Sequence, residues 1–371
     1  MIRVLNISSD TNIGGAGRCI LNFLAHYDRS AFQVDVALPR GSLLVPEVQK
    51  LDTRVIEADG MGDKSLDFGA IRKLKALIRE INPQVVHTHG VMSGRIAARQ
   101  CGKGVVYTRH SVFPVSRRLS TQPGKWLNGK LNEHYADAII AVAEAAKENL
   151  VESGISPERV EVILNGVEGL TRLSPDEVSA EKAKYGIPPD HFVVGILARL
   201  EEVKGHSYLL EAAKILKDRN APFSLIIAGT GAQEAKLKQQ AEDLSLGGTV
   251  IFAGFVSDVR RLLSILDLQI SASYGTEATS LALLEGMSMG IPAVVTDYGG
   301  NPGVIQDGVN GLLVPTRNSA ALAEAIGRMI EKNDAYKQMT EACLAVFEQK
   351  FTADRYAKNI EEVYRRVAGL R

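Results

Sequence analysis

Short runs of aliphatic residues alternate with longer helical stretches along this chain, and no other feature constrains the fold as strongly. Six such runs in the first half are predicted strands, at 2–8, 33–38, 84–88, 104–108, 137–142 and 160–164. The stretches between them have helical spacing near 15–27, 69–81, 90–101, 125–135 and 143–153. Because the strands are nearly continuous in Val, Ile and Leu, they should be buried on both faces. This alternation predicts a parallel, doubly wound sheet.

The alternation stops and then restarts, which predicts two domains in a chain of 371 residues. Residues 168–190 hold three prolines and many charges and are interpreted as a linker. The later strands are predicted at 192–198, 223–228, 249–253, 267–272, 292–296 and 311–314, with helices near 206–219, 232–245, 257–265, 280–289 and 318–332. The predicted fold is α/β, with two Rossmann-like doubly wound parallel-sheet domains, 1–167 and 191–350, facing a central cleft. A final amphipathic helix in 351–371 is expected to pack back on the N-terminal domain.

The overall charge indicates no partner, because 43 Lys and Arg residues balance 43 Asp and Glu residues. The N-terminal sequence MIRVLNISSD lacks the apolar stretch and cleavage site of a signal peptide, and no window is apolar over the roughly 18 residues of a membrane span. Three distant cysteines form no zinc spacing and favour a reducing compartment. We therefore expect a soluble, cytoplasmic protein that at most attaches to the inner face of the cell membrane.

The charge is unevenly distributed, because residues 81–132 contain no Asp or Glu. The cations of this segment are Arg95, Arg99, Lys103, Arg109, Arg117, Arg118, Lys125 and Lys130. Phe113, Trp126 and Leu127 lie among them, so the segment suits either an anionic acceptor or an anionic membrane face. The alternative is that these charges are scattered over a solvated surface. No nucleic-acid-binding module is present, so we expect no nucleic-acid partner.

Candidate functional residues follow the predicted strands, where doubly wound sheets bind ligands. Gly15, Ala16 and Gly17 open a helix after the first strand, where backbone N–H groups either contact an anion or form a tight turn. His87 and His89 end another strand on one face, and His110 ends the next. Each histidine is either functional or a hydrogen-bonded core residue. Two histidines without a nearby carboxylate or thiolate make a poor metal site.

In the second domain, Arg199 ends the first strand and Lys204 opens the next helix. Two cations beside a helix N-terminus suit a diphosphate, and the alternative is a pair of solvated surface charges. Gly229 and Gly254 follow the next two strands, where they allow either close approach of a ligand or a turn.

Residues 277–285 give the strongest local signal. Thr279 or Ser280 can cap the helix that follows, and its free N–H groups can bind phosphate. Glu277 before the helix and Glu285 inside it can accept hydrogen bonds from sugar hydroxyls. Paired carboxylates also flank the sugar in glycoside hydrolases, but a hydrolase needs neither the Arg/Lys pair nor the anion sites.

The run 273–315 resembles the donor-site signature of retaining glycosyltransferase family 4 (glycosyl transferases group 1), which has the GT-B fold. Two glutamates separated by seven residues match at Glu277 and Glu285. The glycine loop at 14–17, the strand-end Asn-Gly-Val at 165–167 and the pair Arg199 and Lys204 also match, in the family's order. The resemblance covers nearly the whole chain.

The resemblance implies a role for each matching residue. Glu285 would bind the ribose, while Glu277 and His110 would contact the donor sugar. Arg199 and Lys204 would neutralise the diphosphate, aided by N–H groups near Gly15 and across Thr279, Ser280 and Leu281. Two departures concern the donor site: Ala278 replaces a glycine, and Gly303 stands where the family commonly has a glutamate.

The implied activity is retaining transfer from a nucleotide diphosphate sugar, with UDP the default nucleotide. The acceptor would be a glycan or a polyprenyl-diphosphate-linked glycan, used in polysaccharide or glycoconjugate synthesis. We expect no cofactor and no metal, because no Asp-x-Asp follows a strand. The alternatives are a sugar-nucleotide epimerase or hydrolase on the same scaffold, and a non-catalytic nucleotide-sugar-binding protein.

Overall fold

The computed structural model describes residues 1–58 and 67–369 and divides into two compact units. The first unit comprises Met1–Val167 and Phe351–Arg371, and the second comprises Glu168–Lys350. Each unit contains one parallel sheet with helices packed on it, so the predicted pair of Rossmann-like domains is confirmed. Among the described residues, no helix combines the length and apolar character needed to cross a bilayer.

Within its described residues, the first unit has seven strands: β1 (Ile2–Ser8), β2 (Phe32–Pro39), β3 (Val55–Ala58), β4 (Val85–His89), β5 (Gly104–Arg109), β6 (Ala138–Ala141) and β7 (Val160–Val162). Its helices before residue 167 are α1 (Gly15–His26), α2 (Leu44–Lys50), α3 (Phe68–Ile81), α4 (Met92–Gln100), α5 (Arg117–Ser120), α6 (Gly124–His134) and α7 (Glu144–Glu152). The strand order is β3-β2-β1-β4-β5-β6-β7, so the order reverses between β1 and β4. The register there pairs Asn6 with His87 and Ser8 with His89. A reversal of this kind opens a crevice at the carboxyl ends of the two strands, where such sheets bind ligands.

The second unit has six strands: β8 (Phe192–Leu197), β9 (Phe223–Ala228), β10 (Val250–Gly254), β11 (Leu268–Ser271), β12 (Ala293–Thr296) and β13 (Gly311–Val314). Its helices are α8 (Pro175–Lys184), α9 (His206–Asp218), α10 (Glu234–Asp243), α11 (Val259–Ile265), α12 (Leu281–Met287), α13 (Asn301–Val304), α14 (Ser319–Ile330) and α15 (Asp334–Lys350). The order β10-β9-β8-β11-β12-β13 reverses between β8 and β11. The loops after these two strands carry Arg199, Lys204 and Glu277.

The segment 168–190, interpreted as a linker, contains α8 and lies in the second unit. Pro175 occupies the first turn of α8, where a missing N–H costs nothing. Ser174 and Glu177 form a reciprocal capping box at this helix start. The buried Glu181 then pairs with Arg261 of α11 at 2.9 Å, which fixes α8 on the second unit.

The last helix, α16 (Ala353–Gly369), packs on the first unit. Tyr364 is fully buried and makes edge contacts with Phe23 and Phe32, at ring-centroid distances of 5.6 and 6.0 Å. Glu361 accepts a hydrogen bond from the backbone N–H of Asp28 at 2.7 Å. The C-terminal helix therefore completes the core of the first unit.

Candidate functional site

The second unit brings Lys204 and Glu277 together at the carboxyl edge of its sheet. Lys204 ends a 3₁₀ turn after β8, and Glu277 lies in the loop after β11. The Lys204 Nζ atom is 2.7 Å from Glu277 Oε2, and the two side chains are only 13% and 9% exposed. Ser273 donates a second hydrogen bond to the same carboxylate at 3.0 Å. A largely buried ion pair at this edge is a polar centre with a fixed geometry.

The backbone of Glu277 is held by the loop after β12. The N–H of Gly300 donates to the carbonyl oxygen of Glu277 at 3.2 Å. Gly299 has φ +58°, and a Cβ atom there would lie 2.1 Å from that same oxygen. The pair of glycines therefore allows the two loops to approach closely, which fixes where the Glu277 side chain begins.

Arg199, Glu285 and Ser280 lie in the surrounding loops and on α12. Arg199 is 71% exposed and its nearest charged partner is Glu201, at 2.5 Å, so it is not paired with Glu277. Glu285 is half-buried on α12. The Ser280 hydroxyl accepts from the Leu283 N–H at 3.4 Å, so Ser280 rather than Thr279 caps the helix, which begins at Leu281.

Gly229 and Gly254, two predicted ligand contacts, serve different local needs. A Cβ atom on Gly229 would lie 2.0 Å from the carbonyl oxygen of Ala198, so this glycine is required by the approach of two loops. Gly254 has φ +65° with open space around its Cα. The turn interpretation therefore accounts for both glycines, because Gly254 also has the left-handed backbone conformation that favours glycine.

In the first unit, a chain of buried and half-buried side chains lies at the carboxyl edge of β1, β4 and β5. We call it the histidine network; its members are Asn6, His87, His89, Thr108, His110 and Tyr364. His110 Nε2 is 2.8 Å from His89 Nδ1, and His89 Nε2 is 3.0 Å from Asn6 Oδ1. On the other side, His87 bonds to the hydroxyls of Tyr364 and Thr108, both at 2.7 Å.

Burial keeps the histidines of this network neutral. It lowers the pKa of His87 to about 3 and the pKa of His110 to about 4. Burial, together with the neighbouring His87 and His110, also lowers the pKa of His89 well below its ordinary value. A neutral imidazole donates from one nitrogen and accepts at the other. The tautomer of one ring therefore determines which nitrogen of the next ring donates.

The ring nitrogens of His87, His89 and His110 that have partners bond to other side chains. Across residues 1–58 and 67–369, no group of three or more His, Cys, Asp and Glu side chains is arranged to hold a metal ion. Sequence reasoning missed Asn6 and Tyr364 as members of the network. Asn6 could have been noticed as an amide inside the apolar strand IRVLNIS, because a buried amide needs a partner.

The glycine loop divides into an open part and a packed part. Gly14 and Gly15 are exposed, with no heavy atom within 4 Å of a built Cβ, and no side chain caps the start of α1. Gly17 is buried, and a Cβ there would lie 2.7 Å from the Leu44 side chain. Gly17 therefore provides space for α2, and its ligand contact stays a prediction. Ala16 is half-buried between the two.

The acid-free segment 81–132 is not the continuous basic surface that eight cations suggested. Arg95 is 3% exposed and stacks on Tyr107, with its guanidinium carbon 4.0 Å from the ring centroid. Arg99 pairs with Asp137 at 2.9 Å, and the Arg109 side chain bonds to Asn149. The more exposed part of the segment is α5 and α6, where Trp126 and Leu127 are 59% and 53% exposed beside basic residues.

Two family models match the chain and cover both units. Residues 13–168 match Glycosyltransferase Family 4, and residues 177–343 match Glycosyl transferases group 1. The histidine network except Asn6 and Tyr364 falls within the first region, and Lys204 with Glu277 falls within the second. The chain therefore belongs to the glycosyltransferases in which a Glycosyltransferase Family 4 region is followed by a Glycosyl transferases group 1 region.

Relatives and solved structures extend this similarity over most of the chain. EpsD of Bacillus subtilis (strain 168) is 29% identical over 360 residues, which span 92% of this chain and 91% of EpsD. The UDP-Gal:alpha-D-GlcNAc-diphosphoundecaprenol alpha-1,3-galactosyltransferase of Escherichia coli is 26% identical over 309 residues, covering 80% of this chain and 79% of the relative. The crystal structure of Anabaena HepE in complex with UDP-glucose has the same fold, with a TM-score of 0.84, 24% identity and coverage of 98% and 99%.

Proposed function

We propose that this glycosyltransferase transfers a sugar, with retention of configuration, from a UDP-sugar to a hydroxyl of a glycan or lipid-linked acceptor. The reaction would need no metal ion or other cofactor and would serve polysaccharide or glycoconjugate synthesis at the cytoplasmic face of the membrane. The observation that carries the proposal is the Lys204–Glu277 pair at the carboxyl edge of the second sheet. A cation and a carboxylate side by side suit a ligand that joins a diphosphate to a sugar.

Each charged group has a separate task in this proposal. Breaking the bond between sugar and phosphate builds negative charge on the departing diphosphate, which Lys204 and Arg199 would stabilise. Glu277 would accept hydrogen bonds from the sugar hydroxyls, and Glu285 from the ribose. The exposed start of α1 near Gly15 would donate N–H groups to the diphosphate. His110 would contact the transferred sugar.

UDP is the nucleotide favoured by the comparisons. HepE was crystallised with UDP-glucose, and the Escherichia coli relative is named for transfer from UDP-Gal to a diphosphoundecaprenol-linked sugar. For this chain, the donor sugar is best found by screening UDP-sugars for an increase in melting temperature, because a bound ligand stabilises the folded state.

A product assay separates the proposed transferase from its alternatives. With the UDP-sugar found by screening and a lipid-linked glycan acceptor, we expect UDP release only when the acceptor is present, and an NMR spectrum of the product showing the anomeric configuration of the donor. EDTA should leave the rate unchanged. UDP release without acceptor would indicate a hydrolase, a changed UDP-sugar would indicate an epimerase, and binding without turnover would indicate a binding protein.

Exposed apolar and basic side chains of α5 and α6 support contact with an anionic membrane. Trp126, Leu127 and Leu131 are 59%, 53% and 42% exposed, and Arg117 and Lys125 lie in the same two helices. Aromatic rings and cations together favour the interface of anionic bilayers.

We expect cosedimentation with phosphatidylglycerol vesicles but not with phosphatidylcholine vesicles, and loss of binding in Trp126→Ala. The matched control is Phe255→Ala, which removes a 74% exposed aromatic side chain from the second unit. Equal binding to both kinds of vesicle would contradict the proposed contact with an anionic membrane.

A further inference from the structure

Asn6 lies inside β1 and is connected to His110 through the ring of His89. The Asn6 side chain is 1% exposed, and its Oδ1 atom is 3.0 Å from His89 Nε2. Within the described part of the chain, Asn6 Nδ2 has no hydrogen-bond partner. Asn6 therefore acts towards His89 through its oxygen, which can only accept. This requires a proton on His89 Nε2.

The direction of this hydrogen bond fixes the tautomer of the next ring. A neutral His89 with its proton on Nε2 has a bare Nδ1, which accepts. Its Nδ1 atom is 2.8 Å from His110 Nε2, so His110 must donate from Nε2. The stacked rings, with centroids 5.1 Å apart, keep these two nitrogens aligned. A neutral His110 is then left with an unprotonated Nδ1.

The Nδ1 atom of His110 is buried and has no hydrogen-bond partner in the described residues. A buried acceptor without a partner carries a desolvation cost of about 1–3 kcal/mol until a donor reaches it. The loop that follows β5 begins here, at the carboxyl edge of the sheet and next to the reversal of strand order. An O–H group can supply the missing donor at this position.

We infer that Asn6 and His89 are positioning residues that hold His110 with its proton on Nε2, so that Nδ1 accepts a hydrogen bond from a sugar hydroxyl. This inference rests on the proposed function for the identity of the hydroxyl, but the tautomer itself is a property of the unliganded protein. The partner of His110 Nε2 is the His89 ring and not a backbone carbonyl.

The tautomer can be read from long-range ¹H–¹⁵N correlation spectra of ¹⁵N-histidine-labelled protein, with His110 assigned by His110→Gln. We expect the Nε2-protonated pattern in the wild type. Asn6→Leu, of similar size but without an acceptor, should lose it, and His89→Phe serves the same comparison if Asn6→Leu does not fold. A proton on His110 Nδ1 in the wild type would overturn the inference whatever the enzyme's activity.

Kinetics and titration test the contact with the sugar. Asn6→Leu should lower kcat/KM about tenfold, the effect of about one lost hydrogen bond, and should cause no further loss in the His110→Gln background. Addition of the UDP-sugar to saturation should shift the His110 Nδ1 resonance, whereas UDP alone should not. A shift with the acceptor alone would indicate that the hydroxyl bonded to His110 Nδ1 belongs to the acceptor and not to the donor sugar. Full additivity of the two substitutions, or no Nδ1 shift with either substrate, would contradict the contact.

Discussion

Replacing Lys204 by methionine should destabilise the second unit, because the Glu277 carboxylate would stay buried without its cation. The two side chains are 13% and 9% exposed and their charged atoms are 2.7 Å apart. Removing one member of a buried ion pair costs about 3–5 kcal/mol. Since Ser273 still donates to the carboxylate, we expect about 3 kcal/mol. For a unit of this size, that lowers the melting temperature by roughly 6–12 °C.

The double variant Lys204→Met with Glu277→Gln isolates the pair from other effects. It removes both charges and keeps an oxygen that can accept from Ser273, so it should recover most of the stability lost in Lys204→Met. Differential scanning calorimetry and urea unfolding of all four proteins give the coupling free energy, which we expect to be about 2 kcal/mol or more. A double variant whose loss equals the sum of the single losses would refute the buried pair.

The same variants separate binding of the sugar from binding of the diphosphate. In calorimetric titrations, Glu277→Gln should weaken the UDP-sugar relative to UDP, since UDP lacks the hydroxyls that Glu277 is proposed to accept from. Lys204→Met should weaken both ligands. Equal losses of UDP and UDP-sugar in Glu277→Gln would contradict the division of roles between the two residues.

Two further predictions concern the second unit. Gly299→Ala should cost about 1–3 kcal/mol, because Gly299 has φ +58° and a Cβ would lie 2.1 Å from the Glu277 carbonyl oxygen. The control is Gly303→Ala, which places a Cβ in open space and should change the unfolding free energy by less than about 0.5 kcal/mol. If urea unfolding shows equal effects for the two substitutions, the predicted clash at Gly299 is refuted. Burial, followed by the Lys204 charge, lowers the pKa of His206 to about 4. Above the unfolded-state pKa of about 6.5, His206 is neutral in both states and the free energy of unfolding has its full value. As the pH falls from there towards 4, the unfolded state binds a proton that the folded state does not, so the free energy of unfolding decreases by about 1.4 kcal/mol per pH unit. In this pH window, His206→Leu should reduce the slope of the unfolding free energy against pH by the contribution of nearly one bound proton. An unchanged slope would contradict the lowered pKa of His206.

The sheets could be predicted because buried parallel strands appear in the sequence as continuous apolar runs. The edge strand β3 was missed, since it has four residues and is partly exposed. Helix α15 was missed because only Met339, Cys343 and Phe347 are buried on it, a single narrow stripe in a polar sequence. Helix α8 lies in the segment interpreted as a linker, since prolines commonly end helices, although Pro175 begins this one.

The candidate site residues follow strand ends, as the sequence predicts, but the sequence does not state which side chain each residue contacts. Lys204 pairs with a glutamate 73 positions away, whereas Arg199 contacts Glu201 two positions away. His87 bonds to Tyr364 across 277 positions. Such contacts depend on strand order and on the return of the last helix to the first unit, and no local pattern encodes them.

Arg199 tests the proposal that cations at the carboxyl edge of the second sheet bind a diphosphate, and it can be replaced without disturbing the fold. Arg199 is 71% exposed beside Glu201, and Arg219 is a matched arginine, 57% exposed beside Glu324. Calorimetric titration of UDP should show Arg199→Gln binding about tenfold more weakly than the wild type, and Arg219→Gln binding equally well. Equal UDP affinity in the wild type and Arg199→Gln would contradict the claim.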